Sequence, residues 1–170
     1  MSDAMRRPRI EKVVVNIGVG DAGERLTKAQ KVLELLTKQK PVVTTAKITN
    51  RDLGVRTGMP IGCKVTLRGE DAEDFLKRAL WIRENRVAVY SFDQRGNLSF
   101  GITDYTDFEG MKYDPEVGIF GMDVSVSITR PGYRIARRRI MKRKVPRDHV
   151  MSKEEAINFM KEKFDVEVVE

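Results

Sequence analysis

From Gly121 to Thr129 the chain alternates without a break. Met122, Val124, Val126 and Ile128 are apolar, and Asp123, Ser125, Ser127 and Thr129 between them are polar. A period of two puts every apolar side chain on one face of a β-strand. A helix would instead need them three or four residues apart. Two further stretches repeat the pattern. In Glu11–Ile17 the residues Val13, Val15 and Ile17 point one way, and Lys12, Val14 and Asn16 the other. In Gly62–Arg68 the residues Cys63, Val65 and Leu67 point inward, and Lys64, Thr66 and Arg68 outward. Three half-buried strands require a sheet with one face on a core.

Helical spacing supplies what covers that face. Leu26, Ala29, Val32, Leu33 and Leu36 form one stripe in 24–38, and Ala72, Phe75, Leu76, Ala79 and Leu80 another in 70–85, with Trp81 expected at its edge and in the core. A capping box, Ser152-Lys-Glu-Glu155, opens a third helix carrying Ala156, Ile157, Met160 and Phe164. Short strands are expected at 42–45 and 165–169. A hairpin is expected from 86–92 and 97–103 around Asp93-Gln-Arg-Gly96. The segment 104–120 is irregular. Residues 46–62 carry Gly54, Gly58, Pro60 and Gly62 with little periodicity, and read as a long loop of the kind that carries function. The elements predict an α+β fold: a largely antiparallel sheet, helices packed on one face, and an open polar face. At 170 residues, 1–170 is expected to be a single domain.

The net charge of +7 is unevenly distributed. Residues 130–147 hold nine basic residues and no acidic one, so the rest of the chain carries −2. Such a stretch repels itself unless a polyanion neutralises it. Membrane-surface binding would need a broad apolar helix face, which Ile135, Ile140, Met141 and Val145 do not make. The expected partner is nucleic acid. No run of 18 apolar residues occurs, so no transmembrane helix is expected, and the N-terminus lacks a signal-peptide pattern. A cytoplasmic location follows. One cysteine and one histidine exclude an internal disulfide and a four-ligand zinc set, so no metal and no cofactor is expected. Cys63 reads as a buried strand thiol, and His149 as an RNA or surface contact beside arginines. No catalytic constellation emerges, and the chain is not expected to be an enzyme.

One motif argues otherwise. Gly18-Val-Gly20-Asp-Ala-Gly23 matches the dinucleotide fingerprint and lies between a strand and a helix. The fingerprint also needs an acidic residue about 20 positions further on to hold the ribose. None occurs between Glu34 and Asp52. The next strand, 42–47, is short and half polar, and no repeated βαβ units follow. A tight turn needing glycine at positive φ is the simpler reading.

Five stretches carry a resemblance. They are Pro8-Arg-Ile-Glu-Lys-Val-Val-Val-Asn-Ile-Gly-Val-Gly20, Leu35-Leu-Thr-Lys-Gln-Lys-Pro-Val-Val-Thr-Thr-Ala-Lys47, Gly58-Met-Pro-Ile-Gly-Cys-Lys-Val-Thr-Leu-Arg-Gly69, Phe92-Asp-Gln-Arg-Gly-Asn-Leu-Ser-Phe-Gly101 and Gly121-Met-Asp-Val-Ser-Val-Ser. In this order, over nearly the whole chain, they resemble the family of large-subunit ribosomal protein five, which binds 5S rRNA. A start almost at the first strand, and the added basic insertion at about 130–150, resemble the family's archaeal branch. The resemblance implies a structural constituent of the large subunit that helps attach 5S rRNA to the central protuberance. It implies rRNA-binding roles for Asn16, Gln39, Thr66 and Arg68, and the alternation of its strand puts Lys64 on the same polar face as a further expected rRNA contact. It implies a loop near peptidyl-site tRNA with Lys47, Asn50, Arg51 and Arg56. It implies a contact with small-subunit ribosomal protein thirteen. The basic segment is expected to anchor on large-subunit rRNA through Arg130, Tyr133, Arg134, Arg137, Arg138, Arg139, Lys142, Arg143 and Lys144.

Overall fold

The computed structural model describes residues 3–169. Alternation and helical spacing become strands β1 (Arg9–Gly18), β2 (Val42–Thr45), β3 (Pro60–Leu67), β4 (Arg86–Ala88), β5 (Leu98–Ile102), β6 (Met122–Thr129) and β7 (Glu167–Val169). The helices are α1 (Glu24–Thr37), α2 (Glu70–Ile82) and α3 (Lys153–Phe164). Five strands form an antiparallel sheet in the order β2-β3-β1-β6-β5, and β4 pairs with β7 in a second, two-stranded sheet. The class is α+β, as the alternation required.

The chain packs as two compact units, one of residues 14–67 and 101–124, the other of residues 3–13, 68–100 and 125–169. In the first, Val15, Ile17, Leu26, Ala29, Val32, Leu33, Leu36, Cys63 and Val65 are buried, and α1 lies against β3. Burying each Leu or Val contributes ~1.5–3 kcal/mol before entropy is counted. β3 sits between β1 and β2, and Gly62 is the point of closest approach. A Cβ there would lie 2.7 Å from the Ile17 carbonyl oxygen and 3.0 Å from Thr44 Oγ1. This arrangement also disposes of the dinucleotide reading. The strand after α1 pairs antiparallel with β3, where a dinucleotide fold needs parallel neighbours. Gly20 sits at φ 84°, and the Val19 and Gly20 amides both donate to the Ile61 carbonyl, at 2.9 and 2.8 Å.

In the second unit, α2 buries Ala72, Phe75, Leu76, Ala79 and Leu80, and α3 buries Ala156, Met160 and Phe164. The capping box forms: Ser152 accepts from the Glu155 amide, and the Glu155 carboxylate accepts from the Ser152 amide. Gly96, at φ 76°, lets the Asp93–Asn97 turn lie on α3; a Cβ would come within 2.9 Å of Ala156 and Met151.

Several expectations are corrected. The hairpin of 86–92 with 97–103 does not form as drawn. A 3₁₀ turn at Val89–Ser91 diverts the chain, leaving a Phe92–Leu98 bridge and the Asp93–Asn97 turn. β4 pairs in parallel with β7 instead. Helix α2 stops at Ile82 because Glu84 and Asn85 adopt left-handed φ of 54° and 56°. Trp81 is 66% exposed rather than core, one residue and so ~100° round the helix from buried Leu80. Thr129, read as outward, is buried, because the segment after it folds back over the strand end. The long loop is not structureless. Ala46 donates to the Met59 carbonyl at 2.8 Å, and Gly58 to the Ala46 carbonyl at 2.9 Å. Asn50 and Val55 exchange a pair at 2.8 and 2.9 Å. It extends the β2–β3 hairpin with a ladder carried by backbone amides, which leave no hydrophobic period.

Candidate nucleic-acid interface

The buried set Val13, Val15 and Ile17 on β1, and Cys63, Val65 and Leu67 on β3, fixes what those strands present on their other side. There Asn16 is half-buried, and Lys64 and Thr66 are exposed. β1 and β3 are neighbours in the sheet, so the three side chains share its polar side. An amide, an ammonium and a hydroxyl can donate to phosphate oxygens and exchange hydrogen bonds with 2′-hydroxyls. Behind them the Cys63 thiol is fully buried, and burial raises its pKa from 9.0 to about 11. It is a packing group, as its place in the alternation implied. Gln39 follows the left-handed Lys38 that ends α1. Its backbone N–H donates to Thr37 Oγ1 at 3.4 Å, and Thr37 Oγ1 donates to the Leu33 carbonyl at 2.6 Å.

At the far end of the β2–β3 hairpin, Lys47, Asn50, Arg51 and Arg56 are exposed. Asn50 Oδ1 accepts from the Asp52 amide at 3.0 Å, and Thr49 and Thr57 pair through their hydroxyls at 3.0 Å. These bonds order the tip, and Ile48 and Leu53 stand out from it at 78% and 74% exposure.

The basic segment belongs to the second unit and is closed at its base. His149 is buried, not a surface contact as its basic neighbours suggested, and its Nε2 lies 2.7 Å from the Pro131 carbonyl oxygen. Since the carbonyl can only accept, Nε2 carries the hydrogen. The Tyr133 hydroxyl accepts from the Met151 amide at 3.0 Å and donates to the His149 carbonyl at 3.4 Å. Arg130 turns inward, its Nη2 2.6 Å from Glu155 and its Nη1 3.2 Å from the Asp148 carbonyl. Sequence reasoning grouped Arg130 and Tyr133 with the outward cations because composition does not record direction.

Further along, Arg137 grips Glu11 with both guanidinium nitrogens; the Nη2–Oε2 distance is 2.8 Å. Arg68 Nη1 lies 4.0 Å from the same carboxylate. Glu11 was not singled out from the sequence, yet it is the counter-charge for two residues that were. Arg138 Nε donates to the Met141 carbonyl at 2.9 Å, and the Arg143 amide to the Ile135 carbonyl at 3.1 Å. Arg134, Arg139, Lys142 and Lys144 are exposed. Among the described residues, no group of three or more His, Cys, Asp or Glu is placed to hold a metal ion, and no helix is long and apolar enough to cross a membrane.

Comparisons with known proteins identify relatives along nearly the whole chain. Residues 3–56 match the family model described as ribosomal protein L5, and residues 60–161 match the model of the C-terminus of the same ribosomal family. The large ribosomal subunit protein uL5 of Picrophilus torridus is 55% identical over 168 residues, covering 98% of this chain and 96% of the relative. That of Sulfurisphaera tokodaii is 55% identical over 167 residues, 98% and 94% of the two chains. That of Methanococcoides burtonii is 52% identical over 168 residues, 99% of each.

Proposed function

The chain belongs to the ribosomal L5 protein family, in its archaeal form, and from that membership we propose that it binds 5S rRNA and helps attach it to the central protuberance. Its broader role is that of a structural, non-enzymatic constituent of the large subunit of the cytoplasmic ribosome. The observation that carries the finer reading is the polar side of β1 and β3. Asn16, Lys64 and Thr66 stand on strands whose opposite sides are locked in a core, so the backbone that carries them is set before RNA arrives. A preset backbone leaves only side-chain freedom to be lost on binding, which favours selective recognition. Arg68 follows β3 directly and adds a charge.

The basic segment supplies a second, less selective anchor on large-subunit rRNA, because phosphates are alike in every sequence. The exposed cations of the β2–β3 hairpin suit the backbone of peptidyl-site tRNA. The family resemblance adds a small-subunit partner, ribosomal protein thirteen. The test is recovery of RNA with the full chain from lysate of its own source, followed by sequencing. Enrichment of 5S rRNA over other small RNAs is expected. Recovery of rRNA fragments without 5S rRNA would sink the proposal.

A further inference from the structure

Beside the latch at the base of the basic segment lies a cleft of about 410 Å³. It is walled by the end of β6, by the Asp93–Asn97 turn and by the basic segment itself. Its size is that of a pocket for a compact organic group. Ile128, Val145, Val150 and the ring of Tyr133 make an apolar interior, and Asn97 and Ser127 add an amide and a hydroxyl. That pair is already oriented. Ser127 Oγ donates to Asn97 Oδ1 at 3.2 Å, while Asn97 Nδ2 donates to Asp93 at 2.7 Å. Arg95, Arg137 and Lys144 line the cleft, and no acidic residue does among the described residues. Arg137 is matched by Glu11, and no ion pair engages Arg95 or Lys144 among the described residues.

We propose that this cleft receives a single unpaired nucleotide of the RNA, its base against the apolar wall and its phosphate between Arg95 and Lys144. The inference rests on the RNA-binding reading above and adds a site to it. Chemistry separates this occupant from a duplex. A paired helix keeps its bases stacked and offers phosphates and sugars outward, so it has nothing to place in an apolar recess. An extruded base has an apolar face for the wall and polar edges for Asn97 and Ser127. The cations at the cleft explain why the occupant should be a nucleotide rather than an uncharged side chain.

The test uses the full chain and two pools of hairpin RNA sharing one stem. One pool is fully paired, and the other carries a single bulged nucleotide of all four identities. The unaltered protein is expected to bind the bulged pool about fivefold or more tightly, since a bulge avoids the cost of unpairing. Ala136 also lines the cleft, and Ala136→Phe fills it without changing charge. It should bring the ratio to about one while leaving affinity for the paired pool within about twofold. Equal binding of both pools by the unaltered protein, or a preference that survives Ala136→Phe, overturns the proposal. Should the variant fail to fold, the unaltered protein still decides. With 4-thiouridine at the bulge, photocrosslinks are expected on Tyr133 or Val150, and crosslinks found only elsewhere overturn the proposal. Failure to bind 5S rRNA, run beside the pools as a control, would remove the RNA-binding reading as well, whereas equal binding to both pools removes the cleft alone.

Discussion

The polar side of β1 and β3 and the segment from Arg130 to Arg147 are built by opposite means. On the strands, the direction of each side chain follows from the pleat. Val15 and Val65 are buried, so Asn16 and Thr66 must face the other way, and the ladder holds them there. The basic segment has no ladder and almost no core. It is held by side chains that reach for backbone: Tyr133 to Met151 and His149, His149 to Pro131, Arg138 to Met141. The first region has one charge among its three polar groups, and the second is mostly charge. A rigid and nearly neutral surface can discriminate between RNAs, whereas a charged and tethered one adds affinity without discriminating.

Removing charge should have the largest effect. Deleting Arg134–Lys144 takes away seven basic residues and leaves Tyr133 and His149 in place. Arg137 is already paired with Glu11. If about half of the remaining six meet phosphate, the log–log salt slope for large-subunit rRNA should flatten by roughly 3. Affinity near 0.1 M salt should then fall by about a hundredfold or more. Filter binding across a salt series measures both. An unchanged slope would mean that the segment is not a phosphate anchor.

The strand side should respond in the other coordinate. Asn16→Ala combined with Thr66→Ala removes no charge. Binding to isolated 5S rRNA should weaken about tenfold or more, while the salt slope stays within about half a unit, since no counterion contact is lost. If the slope moved as much as in the deletion, the contrast between the regions would fail. If affinity did not move, the assignment of Asn16 and Thr66 would fail.

The same contrast decides what could be read before the structure. Period-two and period-3.6 patterns located β1, β3, β6 and the buried faces of α1 and α2, because burial leaves its signature in hydrophobic spacing. Features held by polar bonds left none there, and only the Ser152–Glu155 capping box showed itself, through its residue types. The Asn50–Val55 bridge, the diversion at Val89–Ser91 and the pairing of β4 with β7 depend on backbone geometry. In the candidate sites the residue types were legible, but their directions were not. Arg130 looked like its exposed neighbours until Glu155 and the Asp148 carbonyl were found holding it inward. Glu11 was not singled out at all, though it neutralises Arg137 across 126 residues of sequence.

The smallest expected effect on RNA binding comes from loosening the segment while keeping its charge. Tyr133→Phe keeps the ring but removes the hydroxyl that accepts from the Met151 amide, a residue only 1% exposed. An amide left unpaired there should cost about 1–3 kcal/mol, read as a lower urea midpoint. Thr66→Val on the exposed strand side touches no such network and should stay within about 0.5 kcal/mol. With its base unpinned, the segment should open more often, and trypsin should cut at Arg137, Arg138 or Arg139 several-fold faster. Affinity for rRNA should fall by only about two- to fivefold, because every cation remains and only the entropy of ordering them has risen. An unchanged cleavage rate would show that the segment is ordered by something other than Tyr133. The contrast with the strands would then rest on charge alone, and not on how each region is held.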